Sequence, residues 1–161
     1  MQKNKRSLTI TREEWPLKKP FIISRGPART STKTITVHIS EEKGNDHYTG
    51  LGEAVVSPRY GESDASVIDE IRKIQPMIET GMDRDDLQSI LKAGSARNAI
   101  DNALWDLDAK LSGLHVGKIS KLGWPPTIST VQTISILSPE DMHHEAKALT
   151  NFPTIKVKAN P

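Results

Sequence analysis

The chain contains no cysteine, and only three Trp, two Tyr and two Phe among its 161 residues. Without thiols there is no disulfide, no zinc–thiolate centre and no cysteine nucleophile. A reducing, cytoplasmic setting is the expectation that this composition permits. No run reaches the roughly eighteen consecutive apolar residues of a membrane-spanning helix, so no membrane partner is expected. The start is basic, but Ser7-Leu8-Thr9-Ile10-Thr11-Arg12 follows as a strand-like alternation where a signal peptide would carry its apolar core. Few aromatic rings and no recognition-helix or RNA-binding motif leave nucleic acid outside the expected partners.

Charge is abundant but unevenly placed. The net charge is +2, yet residues 1–33 carry nine Lys or Arg against Glu13 and Glu14 alone. Residues 62–86 reverse the sign, with eight acids against Arg72, Lys73 and Arg84. A basic front face suits an anionic small molecule or plain solvation.

Periodicity divides the chain into strands followed by helices. Residues 7–15 alternate as a strand, and Pro16 and Pro20 predict a break after it. Gly26-Pro27 marks a loop with Arg25 at its lip and Phe21-Ile22-Ile23 at its base. Thr34-Ile35-Thr36-Val37-His38-Ile39-Ser40 predicts a half-buried strand, Gly44-Asn45-Asp46 a turn, and residues 48–56 the returning strand. Together these form a three-stranded antiparallel meander. Within it, Gly50-Leu51-Gly52 lacks the third glycine of a dinucleotide loop and reads as a turn between strand residues.

Helices follow. Ser63 or Asp64 caps the first, whose Val67, Ile68, Ile71 and Ile74 share a face, with an interruption expected at Pro76. Residues 83–91 form a second helix with Leu87, Ile90 and Leu91 as its stripe. Ser95 is the expected cap of a third, with Ala96, Ala99, Ile100, Ala103, Leu104, Leu107 and Leu111 on one face and Gly113 at its end. The small residues on that face would allow close packing on the sheet. Gly123-Trp124-Pro125-Pro126 divides an α+β domain, residues 1–124, from a strand–helix–strand segment, residues 125–161. That segment has an apolar strand over 127–136, a helix from Pro139, and the strand Thr154-Ile155-Lys156-Val157-Lys158. A single βαβ unit cannot cover both faces of its own sheet.

The last strand carries the most chemistry. A period of two puts Lys156 and Lys158 on one face and Ile155 and Val157 on the other. Neighbouring ammonium groups lower each other's proton affinity, one way to obtain a lysine base. Lysines also guard exposed edge strands, and these residues by themselves fit that role as well.

The order of blocks supplies the rest. Pro20-Phe21-Ile22-Ile23-Ser24-Arg25-Gly26, Gly50-Leu51-Gly52-Glu53-Ala54, Ser57-Pro58-Arg59-Tyr60-Gly61-Glu62, Ala103-Leu104-Trp105-Asp106-Leu107, Thr130-Val131-Gln132-Thr133-Ile134-Ser135 and Ile155-Lys156-Val157-Lys158 span nearly the whole chain. In this order the sequence resembles the enolase superfamily, within it the muconate-lactonizing-enzyme branch and its dipeptide epimerases. The resemblance implies an α+β capping domain (a three-stranded antiparallel meander plus helices) followed by the first βαβ unit of an incomplete TIM-like (β/α) barrel. It implies abstraction of a proton α to a carboxylate, with the enediolate held on Mg²⁺. Lys158 then matches the base, Lys156 the lysine against the substrate carboxylate, Thr133 a substrate-contacting threonine, and Arg25 the loop arginine that pairs with a glutamyl side chain. A guanidinium fork suits that last task.

The family's three metal-binding acids lie on later barrel strands, so the expectation is no metal ligand in this chain and no activity from the chain by itself. Asp101, Asp106 and Asp108 stand on one helix at spacings that do not bring them together, and His143-His144-Glu145 reads as a solvated helix face. A dipeptide is the expected partner, with association into a homo-oligomer left open. Muconate cycloisomerases and o-succinylbenzoate synthases are alternatives inside the branch. A degenerate, non-catalytic fragment or binding module is the alternative outside it.

Overall fold

β-Branched residues at alternate positions stiffen the backbone into an extended form and place Ile35, Val37 and Ile39 on one face, where all three are buried. They lie on the second of three strands, β1 (Arg6–Phe21), β2 (Arg29–Lys43) and β3 (Asp46–Ala54), ordered β1-β2-β3. The pairing of β2 with β3 is antiparallel from Ile35↔Ala54 to Lys43↔Asp46, closed by Gly44-Asn45 with Gly44 at φ +65°. This is the meander expected from the sequence. The expected break at Pro16 and Pro20 does not occur: β1 runs through both. As an edge strand it has outward positions where a missing N–H costs no ladder bond.

The structure is a computed structural model that describes residues 5–24, 26–123 and 127–159. The chain forms two compact units, Met1–Glu14 with Lys33–Trp124, and Trp15–Thr32 with Pro125–Pro161. In the first unit, α1 (Asp64–Glu79) begins at a reciprocal cap in which the Ser63 and Ser66 hydroxyls each accept the other's backbone N–H. It continues through Pro76, against expectation. Pro76 stands near the helix end, where the Thr80 N–H and hydroxyl both return to its carbonyl at 3.1 Å. Burial of Ile71, Ile74 and Ile78 holds the turns on either side. Next comes α2 (Arg84–Ile90), capped by Asp83, with Leu87 buried and Ile90 exposed.

The long helix α3 (Ser95–Ser112) buries Ala96, Ala99, Ile100, Ala103, Leu104 and Leu107, and ends on Gly113 at φ +65°. Its N-cap position is Gly94, not Ser95, and no side chain of its own caps it. Gly50 and Gly52 sit within β3, so the expected turn is absent. A Cβ on Gly50 would run into the Ala103 carbonyl, and one on Gly52 into that of Ala99. Two missing side chains on the strand thus meet two small ones on the helix.

Helix side chains bond to both outer edges of the sheet. Along β3, Asn98 Nδ2 donates to the Glu53 carbonyl at 3.1 Å and Lys110 Nζ to that of Thr49 at 2.6 Å. Between them, the Leu51 N–H donates to Asp106 at 2.8 Å. Along β1, the Leu8 N–H donates to Glu79 at 3.2 Å and its carbonyl accepts from Gln75 at 3.1 Å. The other acids of α3 are also committed: Asp108 to Arg84, which stacks 3.4 Å above Trp105, and Asp101 to Gln88. A short helix α4 (Val116–Ile119), not foreseen from the sequence, follows.

The second unit contains β4 (Val131–Ile134), α5 (Pro139–Ala148) and β5 (Thr154–Val157), with β4 and β5 parallel. The strand expected over 127–136 is shorter, matching the four residues of β5, its neighbour among the described residues. The α+β unit followed by a βαβ segment agrees with the fold class implied by the sequence.

Candidate functional site

The βαβ segment forms for local reasons. Ser138 caps α5 by accepting the Asp141 N–H at 3.1 Å, and Pro139 occupies the first turn. The helix then returns the chain so that β5 lies beside β4 in parallel. Register places Thr133 opposite Lys156 and Ile134 opposite Val157. The Lys158 N–H donates to the Ile134 carbonyl at 3.0 Å, extending the pairing one residue beyond β5. Paired residues of parallel strands share a face, so Thr133 and Lys156 project together, and Lys158 follows on the same side. Ile134, on the opposite face, is fully buried. Lys156 is exposed and Lys158 half-buried.

Of the four residues singled out from the sequence, these three converge on one sheet face, whereas Arg25 lies outside the described residues. The segment leading to it is anchored within the same unit. The Ile22 N–H donates to Ser135 Oγ at 3.3 Å, and the Ile22 carbonyl accepts from the Ile136 N–H at 3.2 Å. Lys19 pairs with Glu145 of α5 at 2.7 Å. These groups border a cavity of about 750 Å³ whose lining includes Phe21, Ile22, Thr133, Ser135, His144 and Glu145. Glu145, read from the sequence as part of a solvated face, is therefore half-buried and paired. Ser135 carried no expected role, although its even spacing from Thr133 was the available signal.

The first unit has a cavity of about 630 Å³ beside Glu62, Lys92 and Ser95. The Glu62 carboxylate is already committed: Ser95 donates to it through its N–H at 2.8 Å and its hydroxyl at 2.6 Å, and the Ser57 N–H approaches at 3.4 Å. The Ser95 hydroxyl first, then the Ser95 and Ser57 amides and the Lys92 charge, hold Glu62 below the usual carboxylate range against an opposing effect of burial. Among the described residues no three His, Asp or Glu side chains form a cluster that could hold a metal ion. The described residues by themselves therefore do not fit a Mg²⁺ centre. No helix among them is long and apolar enough to cross a membrane.

The fold and site define an α+β capping domain joined to a strand–helix–strand segment with paired lysines. Residues 5–119 match the mandelate racemase / muconate lactonizing enzyme N-terminal domain, and the chain belongs to that family. It is 41% identical over 144 residues to the L-Ala-D/L-Glu epimerase of Escherichia coli K12, covering 89% of this chain and 43% of that protein. An N-acetyl-D-glutamate racemase from a Pseudoalteromonas species is 35% identical over 114 residues, 69% of this chain and 36% of the racemase. Among solved structures, an Agrobacterium tumefaciens enolase family member with homology to dipeptide epimerases, bound to sodium and L-Ala-L-Glu, superposes with a TM-score of 0.85. It is 38% identical, over 96% of this chain and 46% of its own. The chain spans less than half the length of each of these relatives.

Proposed function

We propose that this chain is part of a dipeptide epimerase that inverts the α-carbon of the glutamyl residue in an Ala-Glu dipeptide. The observation that carries the reading is the shared face of Thr133, Lys156 and Lys158, in a chain 41% identical to an L-Ala-D/L-Glu epimerase. In this reading the neutral Lys158 amine takes the α-proton, leaving the electron pair on the carbon and its carboxylate. Lys156 sits against that carboxylate as a counter-charge, and Thr133 hydrogen-bonds the substrate. Arg25 pairs with the glutamyl side chain through its guanidinium fork. Reprotonation from the other face needs a second acid, and the Mg²⁺ expected for this chemistry needs ligands. Both are assigned to polypeptide beyond the described residues.

A second substrate is favoured by the 35% identity to an N-acetyl-D-glutamate racemase. L-Ala-L-Glu and N-acetylglutamate share one unit, a glutamate acylated on nitrogen, so the same groups would serve both. The discriminating assay is solvent deuterium incorporation at the α-carbon of each compound, using protein expressed from its complete gene. Lys158→Ala should lower exchange on the order of a thousandfold, the range of a lost general base. Undiminished exchange would remove Lys158 from the mechanism. The 161-residue chain expressed by itself should show no exchange, and Mg²⁺-dependent exchange by it would overturn the assignment of the metal ligands to other polypeptide.

A further inference from the structure

We propose that Ser135 is a further substrate-binding residue of the lysine face, donating its hydroxyl proton to a carboxylate oxygen of the acid bound beside Lys158. The inference rests on the epimerase reading and adds a residue to it. With Thr133 opposite Lys156 and Ile134 opposite Val157, and with the Lys158 N–H on the Ile134 carbonyl, the next position in register sets Ser135 beside Lys158. Two residues beyond Thr133, it lines the same cavity.

A serine hydroxyl offers one donor and two acceptor sites. One acceptor site is taken by the Ile22 N–H at 3.3 Å, which fixes the oxygen against the 15–32 segment. Among the described residues the proton has no acceptor. A fixed oxygen with an uncommitted proton, bordering a cavity and on the sheet face that carries Lys156 and Lys158, is complementary to an anionic oxygen acceptor. A carboxylate there would accept the Ser135 proton while Lys156 supplies the counter-charge and Lys158 is left to act on the α-proton. Ser135 thereby joins the segment leading to residue 25 and the substrate carboxylate through one atom.

The test is steady-state kinetics on L-Ala-L-Glu with wild type, Ser135→Ala and Ser135→Thr, each expressed from the complete gene and checked by thermal melting. Loss of one hydrogen bond to a charged group predicts a rise in KM of about tenfold for Ser135→Ala, with kcat within about threefold. Ser135→Thr keeps the hydroxyl and should restore KM. An unchanged KM in Ser135→Ala, or a lowered melting temperature with KM intact, would overturn the proposal and leave the epimerase reading standing. A wild-type protein inactive on both N-acylated glutamates would sink that reading and this inference with it.

Discussion

Glu62 caps α3 from 33 residues away: its carboxylate accepts both the N–H and the hydroxyl of Ser95, at 2.8 and 2.6 Å. A helix start needs acceptors for its first N–H groups and favours a negative charge there. Here a loop residue supplies both.

The pH dependence follows with a definite sign. Because these hydrogen bonds hold Glu62 below its ordinary value of 4.5, the folded state binds its proton more weakly than the unfolded chain does. The stabilisation is fully present above pH 4.5 and is lost as pH falls from there through the folded value. Glu62→Gln should cost about 1 kcal/mol at neutral pH and flatten this acid limb. Urea denaturation at stepped pH measures both, and an unchanged acid limb would remove Glu62 from the cause.

Gly52→Ala should be among the most damaging single-methyl additions in the first unit. The new Cβ meets the Ala99 backbone, which cannot rotate away as a side chain would. Overpacking against fixed backbone predicts a loss of about 3 kcal/mol. Denaturation midpoints would show it, and a variant as stable as wild type would mean that α3 can lift from β3 at little cost.

Asp106→Ala removes the acceptor for the Leu51 N–H and the partner of Lys110, which bonds the adjacent Thr49 carbonyl. The expected cost is about 1–2 kcal/mol, with the edge of β3 opened to other strands. Amide hydrogen exchange should accelerate at Leu51 more than at Gly50 or Gly52. Uniform acceleration would point to global destabilisation instead.

Thr34 Oγ1 is buried without a hydrogen-bond partner among the described residues. An unpaired buried hydroxyl is a standing cost, so Thr34→Val should be neutral or stabilising by about 1 kcal/mol. A clear drop in melting temperature would contradict this.

Local patterns determined a good deal. The period of two at Ile35, Val37 and Ile39, the helical stripe from Ala96 to Leu107, and the Ser138-Pro139 start of α5 could be read directly, because each is a short-range steric or hydrogen-bonding preference. The same period placed Lys156 and Lys158 on one side. The failures share a cause, since each depended on a neighbour distant in sequence. Pro16 and Pro20 are tolerated because β1 is an edge strand, which no local window reveals. Gly50 and Gly52 looked like turn residues until α3 was seen lying on them. The Ser95 position looked like a cap, but Glu62 performs that task across a loop. Likewise the sequence alone offered Thr133 and the lysine pair as separate motifs. Only the parallel register of β4 and β5 makes them one face and brings Ser135 beside Lys158, because hydrogen-bond pairing between strands is a long-range choice.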